Sequence, residues 1–194
     1  MQRVLATLAV LVSVSCAGTS GTDSALEAAR SEWRELCASA DCRADLRVSI
    51  VDDEGQTITF DAPEAQPIVQ GGVINLYPGE AYCFSGRAQE GAVADLEMVA
   101  EAEGPDRLCF SFSQEPSVRQ GADMLLRVRS SFEAPVKFRL GMLLPYREEL
   151  GIQGTSSCPV FPGATATEHW PHAIVTLFIA DAILLDPEAP LVCN

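Results

Sequence analysis

From Leu46 to Leu185 the chain alternates apolar and polar side chains with a period of two, which is the periodicity of a half-buried strand. Leu46 to Asp52 and Gln56 to Asp61 flank Asp53-Glu54-Gly55 and predict a hairpin. Further strands are expected at 68–76, 80–86, 93–102, 107–113, 123–132, 135–144 and 173–185, separated by Pro78-Gly79, Gly104-Pro105 and Gln120-Gly121 among other turns. Residues 23–38 follow a different period. Leu26, Ala29, Trp33 and Leu36 recur at helical spacing behind a capping box of Ser24 and Glu27. One helix followed by short strands with turn signals predicts a mainly β fold, an antiparallel β-sandwich or jelly roll, as a single domain over 23–194.

The segment before that domain reads as an export signal. Val4 to Val14 is an apolar run preceded by Met1-Gln2-Arg3, the layout of a bacterial secretory signal over 1–15. It is shorter than the roughly 18 apolar residues needed to span a bilayer. Ser13-Val14-Ser15-Cys16-Ala17-Gly18 resembles the box of bacterial lipoproteins, a resemblance confined to this N-terminal segment. It implies that Cys16 becomes the lipidated first residue, with residues 16–22 as a tether, and that the protein sits in the cell envelope, at the outer membrane or in the periplasm. Ordinary cleavage after Ala17 or Gly18 also satisfies a small-x-small rule.

Seven cysteines are present, and setting Cys16 aside leaves an even number for an oxidising compartment. Cys37 and Cys42 bracket the end of the helix, where a local disulfide closes the turn. Cys83 points opposite Tyr82 and Phe84, and Cys109 opposite Leu108, Phe110 and Phe112. If the aromatic residues face the core, both cysteines lie on the outer side of one sheet, so Cys83 with Cys109 is the first choice. Cys158 with Cys193 follows. Six cysteines allow 15 connectivities, and this is the ranked selection among them.

Charge narrows the partners. Asp and Glu number 27 against 13 Lys and Arg, a net −14, which repels nucleic acid and anionic surfaces at long range. Against that background Arg127 and Arg129 on one strand, with Lys137 and Arg139 on the next, form a basic constellation. Paired as a hairpin with both apolar sets on one face, Arg129 would oppose Lys137 and Arg127 would oppose Arg139. Asp95, Glu97 and Glu101, on the polar face of 93–102, are the expected compensation. The alternative is an anion site for a phosphorylated or sulfated glycan or an acidic partner.

The second candidate region is the 145–171 connection, which ends in Glu168-His169-Trp170-Pro171-His172. Loops of that length are functional or disordered. Trp170 is a candidate sugar platform, and His169 and His172 are candidate ligand-binding residues; metal ligation is the minor reading, because Pro171 interrupts any helix that would align them. No cofactor is expected. No G-x-S-x-G, H-E-x-x-H or glycine-rich phosphate loop occurs, which leaves a hydrolase only as Ser156 or Ser157 with one of the histidines. Leu76-Tyr77-Pro78-Gly79-Glu80-Ala81-Tyr82-Cys83-Phe84 resembles an L-x-P-G-E-x-Y-x-F stretch of secreted bacterial β-sandwich domains. The leading expectation is a non-catalytic envelope lipoprotein that acts as a structural or interaction module with an envelope protein or glycan. A glycan- or anion-binding module comes second and a metal-dependent or Ser/His hydrolase third.

Overall fold

The computed structural model describes residues 30–62, 65–116, 122–145, 152–188 and 192–193. Residues 30–36 are helical, as the spacing of Trp33 and Leu36 requires; the start of the expected helix lies outside the described residues, as does the Cys16 segment. Cys37 bonds Cys42 directly after the helix, with Cα atoms 5.6 Å apart. Cys42 opens β1 (Cys42–Arg43), which pairs with β4 (Gln66–Pro67). Between them lies the hairpin of β2 (Leu46–Val51) and β3 (Thr57–Ala62), in register from Leu46 opposite Ala62 to Val51 opposite Thr57. Its turn is closed by Asp52, whose Oδ1 accepts the backbone N–H groups of Glu54 at 2.9 Å and Gln56 at 2.6 Å, while Gly55 takes the positive φ the turn needs.

The expected strand 68–76 is two strands, β5 (Val69–Gln70) and β6 (Val73–Leu76). Gly71 and Gly72, with φ of 58° and 80°, turn the chain between them. There follow β7 (Ala81–Gln89), β8 (Ala92–Val99), β9 (Arg107–Pro116), β10 (Ala122–Ser130), β11 (Val136–Leu143), β12 (Gln153–Thr155), β13 (Thr165–Trp170) and β14 (Thr176–Leu184). The 145–171 connection is thus strand-bearing where it is described. β13 escapes a search for alternation because Ala166 and Trp170 are its only apolar residues, and Glu168 shares their face.

Ten strands form one antiparallel sheet in the order β12-β11-β14-β8-β7-β9-β10-β13, with β6 on β14 and β5 on β6. The sheet doubles over where β14 passes from β6 to β8. Among the described residues only the pairing of Ile183 with Ala92 joins the halves as a ladder, with the Leu184 N–H donating to Gly91 O at 2.9 Å. The result is a sandwich, with β13-β10-β9-β7-β8 facing β5-β6-β14-β11-β12. Phe84, Phe110, Phe112, Met124, Leu126 and Val128 of the first layer meet Ile74, Leu76, Phe138, Leu140, Leu177 and Ile179 of the second in one core. Phe110 sits edge-on to Phe138 across the layers, with centroids 5.4 Å apart. A smaller cluster of Val48, Ile50, Ala173 and Val175 seats the β2–β3 hairpin. Gln114 tethers that hairpin by accepting the Val51 N–H and donating to its carbonyl.

The expected hairpin of 123–132 with 135–144 does not form. β10 pairs with β9 and β13, and β11 pairs with β12 and β14, so the two strands lie in opposite layers with their apolar faces turned toward each other. Residues 131–135 form an arch instead of a hairpin turn. Phe132, 2% exposed, plugs it. The Ser131 hydroxyl donates to Gly104 O at 2.7 Å and accepts the Arg107 N–H at 2.9 Å. Consequently Arg129 does not oppose Lys137, nor Arg127 Arg139.

Arg139 instead pairs with Asp181 at 3.1 Å and Arg127 with Glu115 at 3.7 Å, all on exposed side chains. Replacing both arginines by Gln should therefore cost about 1 kcal/mol or less per site. The two losses should add to within about 0.5 kcal/mol, because the residues share no partner. Urea unfolding of the two single variants and the double variant checks this; a coupling above about 1 kcal/mol would restore the paired hairpin.

Candidate functional site

Alternation along β10 buries Met124, Leu126 and Val128 and turns Arg127 and Arg129 outward. The register then places the outward neighbours. Arg129 lies opposite Cys109, Cys109 opposite Cys83, and Cys83 opposite Val99. One step along, Arg127 lies opposite Ser111, and Ser111 opposite Ala81. On the far side Thr165 flanks Arg129 and Thr167 flanks Arg127. Cys83 and Cys109 are disulfide-bonded with Cα atoms 4.0 Å apart, so directly opposed outward cysteines close the covalent link that their parity predicts.

Over this disulfide lies a groove of about 580 Å³, lined by Ala81, Met98, Val99, Ala100 and the two sulfurs, with Arg127 and Arg129 along one side. Arg127 is loosely engaged by Glu115. Arg129 has no hydrogen bond or ion pair among the described residues, which is notable in a chain of net −14. Arg107 lies two residues before Cys109 on the same side of β9; its Nε is buried without a hydrogen-bond partner among the described residues.

The other expected site residues disperse. Lys137 and Arg139 belong to the opposite layer, where Lys137 Nζ donates to Val192 O at 2.8 Å. Asp95 does not compensate the β10 arginines: its partner is Arg87, across the β7–β8 ladder. Trp170 is 7% exposed and its Nε1 donates to Thr155 Oγ1 at 3.0 Å, so its ring packs in the core and offers no sugar platform. His169 faces outward and hydrogen-bonds Asp123 at 2.9 Å. His172 lines a separate cleft of about 370 Å³ with Asp53, Met142 and Gln153, and its Nε2 is buried without a partner among the described residues. Glu168 turns away from both histidines to accept the Cys158 N–H at 2.7 Å. No group of three or more His, Cys, Asp or Glu that could hold a metal occurs among the described residues. The Ser157 hydroxyl is buried and donates to Phe138 O at 2.6 Å, out of reach of a nucleophilic role. Cys158 bonds Cys193, so all three pairs are those selected from the sequence.

One polar constellation is only half visible in the sequence. Arg43, 8% exposed, makes a two-pronged ion pair with Glu80 at 2.6 and 3.0 Å and donates to Asn75 O at 2.7 Å and Pro67 O at 3.3 Å. Glu80 also accepts from the Tyr77 N–H and the Tyr82 hydroxyl, and the guanidinium lies 5.0 Å from the Tyr77 ring centre and 5.9 Å from that of Tyr82. The Pro78-Gly79-Glu80-Ala81-Tyr82 stretch is the visible half of this network: Gly79, at φ 95°, turns the chain so that Glu80 reaches back to the Tyr77 N–H. The other half, Arg43, is 37 residues away.

Burial raises the pKa of Tyr77 and of Tyr82 above 10.0, and for Tyr82 the hydrogen bond to Glu80 raises it further. The stabilisation from keeping these phenols neutral is thus complete below pH 10 and lost as pH rises through their higher folded values. A near-ultraviolet absorbance titration should show two of the three tyrosines ionising late, together with alkaline unfolding. Normal titration of all three would refute the buried network. Neither a protein-family model, nor a curated protein, nor a solved structure matches this chain.

Proposed function

We propose that the chain is an exported, non-catalytic binding module of the bacterial cell envelope, held at a membrane through a lipid on Cys16, with the outer face of the β13-β10-β9-β7-β8 layer as its working surface. The observation that carries this reading is the coincidence on that face of a partnerless guanidinium, Arg129, with a concave apolar groove. A surface that served only to cover a core would pair its cations in a protein with 27 acidic side chains. The outward positions beside the arginines, Ser111, Thr165 and Thr167, are short hydrogen-bonding side chains that leave the groove accessible.

Of the two binding readings, recognition of an anion is favoured over recognition of a neutral glycan, because Trp170 is buried while Arg129 is free. The Ser/His hydrolase reading loses support because Ser157 and Glu168 are committed to backbone partners.

Two measurements in intact cells test the proposal. Mass spectrometry of the membrane fraction should find acylated Cys16 as the first residue, and an unmodified N-terminus at Gly18 or Thr19 would remove the anchor. A photoreactive residue at Thr167 should crosslink an envelope component, with loss of the crosslink on Arg129→Gln. The same residue at Arg47, on the β2–β3 hairpin, should not. Equal crosslinking at both positions would remove the working surface.

A further inference from the structure

We propose that the groove over the Cys83–Cys109 disulfide binds a single-chain phosphate amphiphile, of the lysophospholipid kind, with its phosphate on Arg127 and Arg129 and its chain along Val99, Ala81 and the disulfide. This rests on the reading of the outer face as the working surface and names what that surface takes.

The size, lining and charge of the groove agree on this class. About 580 Å³ falls in the range of sites for small ligands, which are lined mostly by apolar groups with a few placed polar ones. The floor here is the Cys83–Cys109 disulfide, with Val99 opposite Cys83 and Ala81 opposite Ser111 on the same outward face, surfaces that suit a flexible hydrocarbon. The guanidiniums of Arg127 and Arg129 spring from positions about 7 Å apart along one face of a strand. That spacing lets both side chains converge on one tetrahedral anion, whose oxygens can accept from each of them. Arg127 has only a 3.7 Å contact with Glu115 to give up, and Arg129 gives up nothing.

The same face argues against an extended polyanion. Glu115 and Asp123 stand on it beside the arginines, and the net charge of −14 repels a sulfated glycan or an anionic bilayer as a whole. One small anion with an apolar body meets the arginines without confronting that field. Arg107, on the same side of β9 as Cys109 and close to Gly104, adds positive charge to this face.

The test uses the exported full chain carrying Cys16→Ser, so that no anchor competes for the groove. Octyl phosphate, kept below its micelle concentration, is titrated by calorimetry and by the NMR signals of the Val99 methyl groups. Saturable binding with shifted Val99 signals is expected. Arg129→Gln and Val99→Glu, both at exposed or half-exposed positions, should each weaken it at least about tenfold with the fold unchanged, whereas Arg129→Lys should lose less. Arg139→Gln, in the other layer, should leave binding as it was. Octyl glucoside and inorganic phosphate, each carrying half of the chemistry, should each bind at least about tenfold more weakly.

The inference is overturned by absence of saturable binding, by octyl glucoside or inorganic phosphate binding as tightly, or by indifference to Arg129→Gln. If octyl phosphate fails while the Thr167 crosslink in cells persists, the ligand class falls and the surface stands. Loss of both removes the surface as well.

Discussion

Replacing Arg43 with Met should destabilise the protein by about 3–5 kcal/mol. The reason lies in what remains. Glu80 is 13% exposed and would keep its charge in a site built around a guanidinium, with only the Tyr77 N–H and the Tyr82 hydroxyl to solvate it. The carbonyls of Pro67 and Asn75 would lose a donor at the same time, and β1 would lose its hold on the sandwich. Adding Glu80→Gln to Arg43→Met should recover part of the loss, because the uncompensated charge is the dominant cost and an amide can still accept from Tyr82. Urea unfolding of the two variants decides the matter. A loss below about 1 kcal/mol for Arg43→Met would mean that the pair behaves like an exposed one.

Phe110→Ala should cost about 3–5 kcal/mol. Phe110 is 2% exposed, sits 6.1 Å from Phe84 within its layer and 5.4 Å from Phe138 across the core, and so holds the two halves of the sheet at their spacing. The halves are joined by a single backbone pairing; side-chain packing must therefore supply most of their cohesion, and a cavity at Phe110 has no ladder beside it to resist separation. Ile183→Ala, at 45% exposure on β14, should stay within about 0.5 kcal/mol. Comparable losses at the two positions would show that the layers are held by something other than this aromatic contact.

Much of the fold is legible because period-two alternation is a local property. The β2–β3 hairpin, the strands around Phe84, Phe110, Leu126 and Leu140, and the cysteine pair 83–109 all follow from which residues share a face. Where alternation fails, so does the reading. β13 carries Thr165, Thr167 and His169 outward and Glu168 inward, and no hydrophobic pattern marks it. β1 and β4 are two residues each, too short for any period. The site is half legible: Arg127 and Arg129 stand out by charge on one strand, but Ala81, Val99 and the disulfide join them only through the pairings of β7 with β8 and β9.

Sequence alone determined the faces. It showed which side chains point inward along each long strand, that an even set of cysteines would staple the domain, and which of them could meet. Tertiary structure decided the partners. An apolar face can be buried beside the next strand in the same sheet or against a strand in the opposite layer, and both satisfy the same alternation. β10 and β11 took the second solution, which separated Arg127 and Arg129 from Lys137 and Arg139. Arg43 and Glu80 likewise meet because the chain folds back over 37 residues. Burial stabilises apolar surface wherever it is covered, so the pattern along a strand specifies that a face is hidden and leaves to the packing of the whole chain the choice of what hides it.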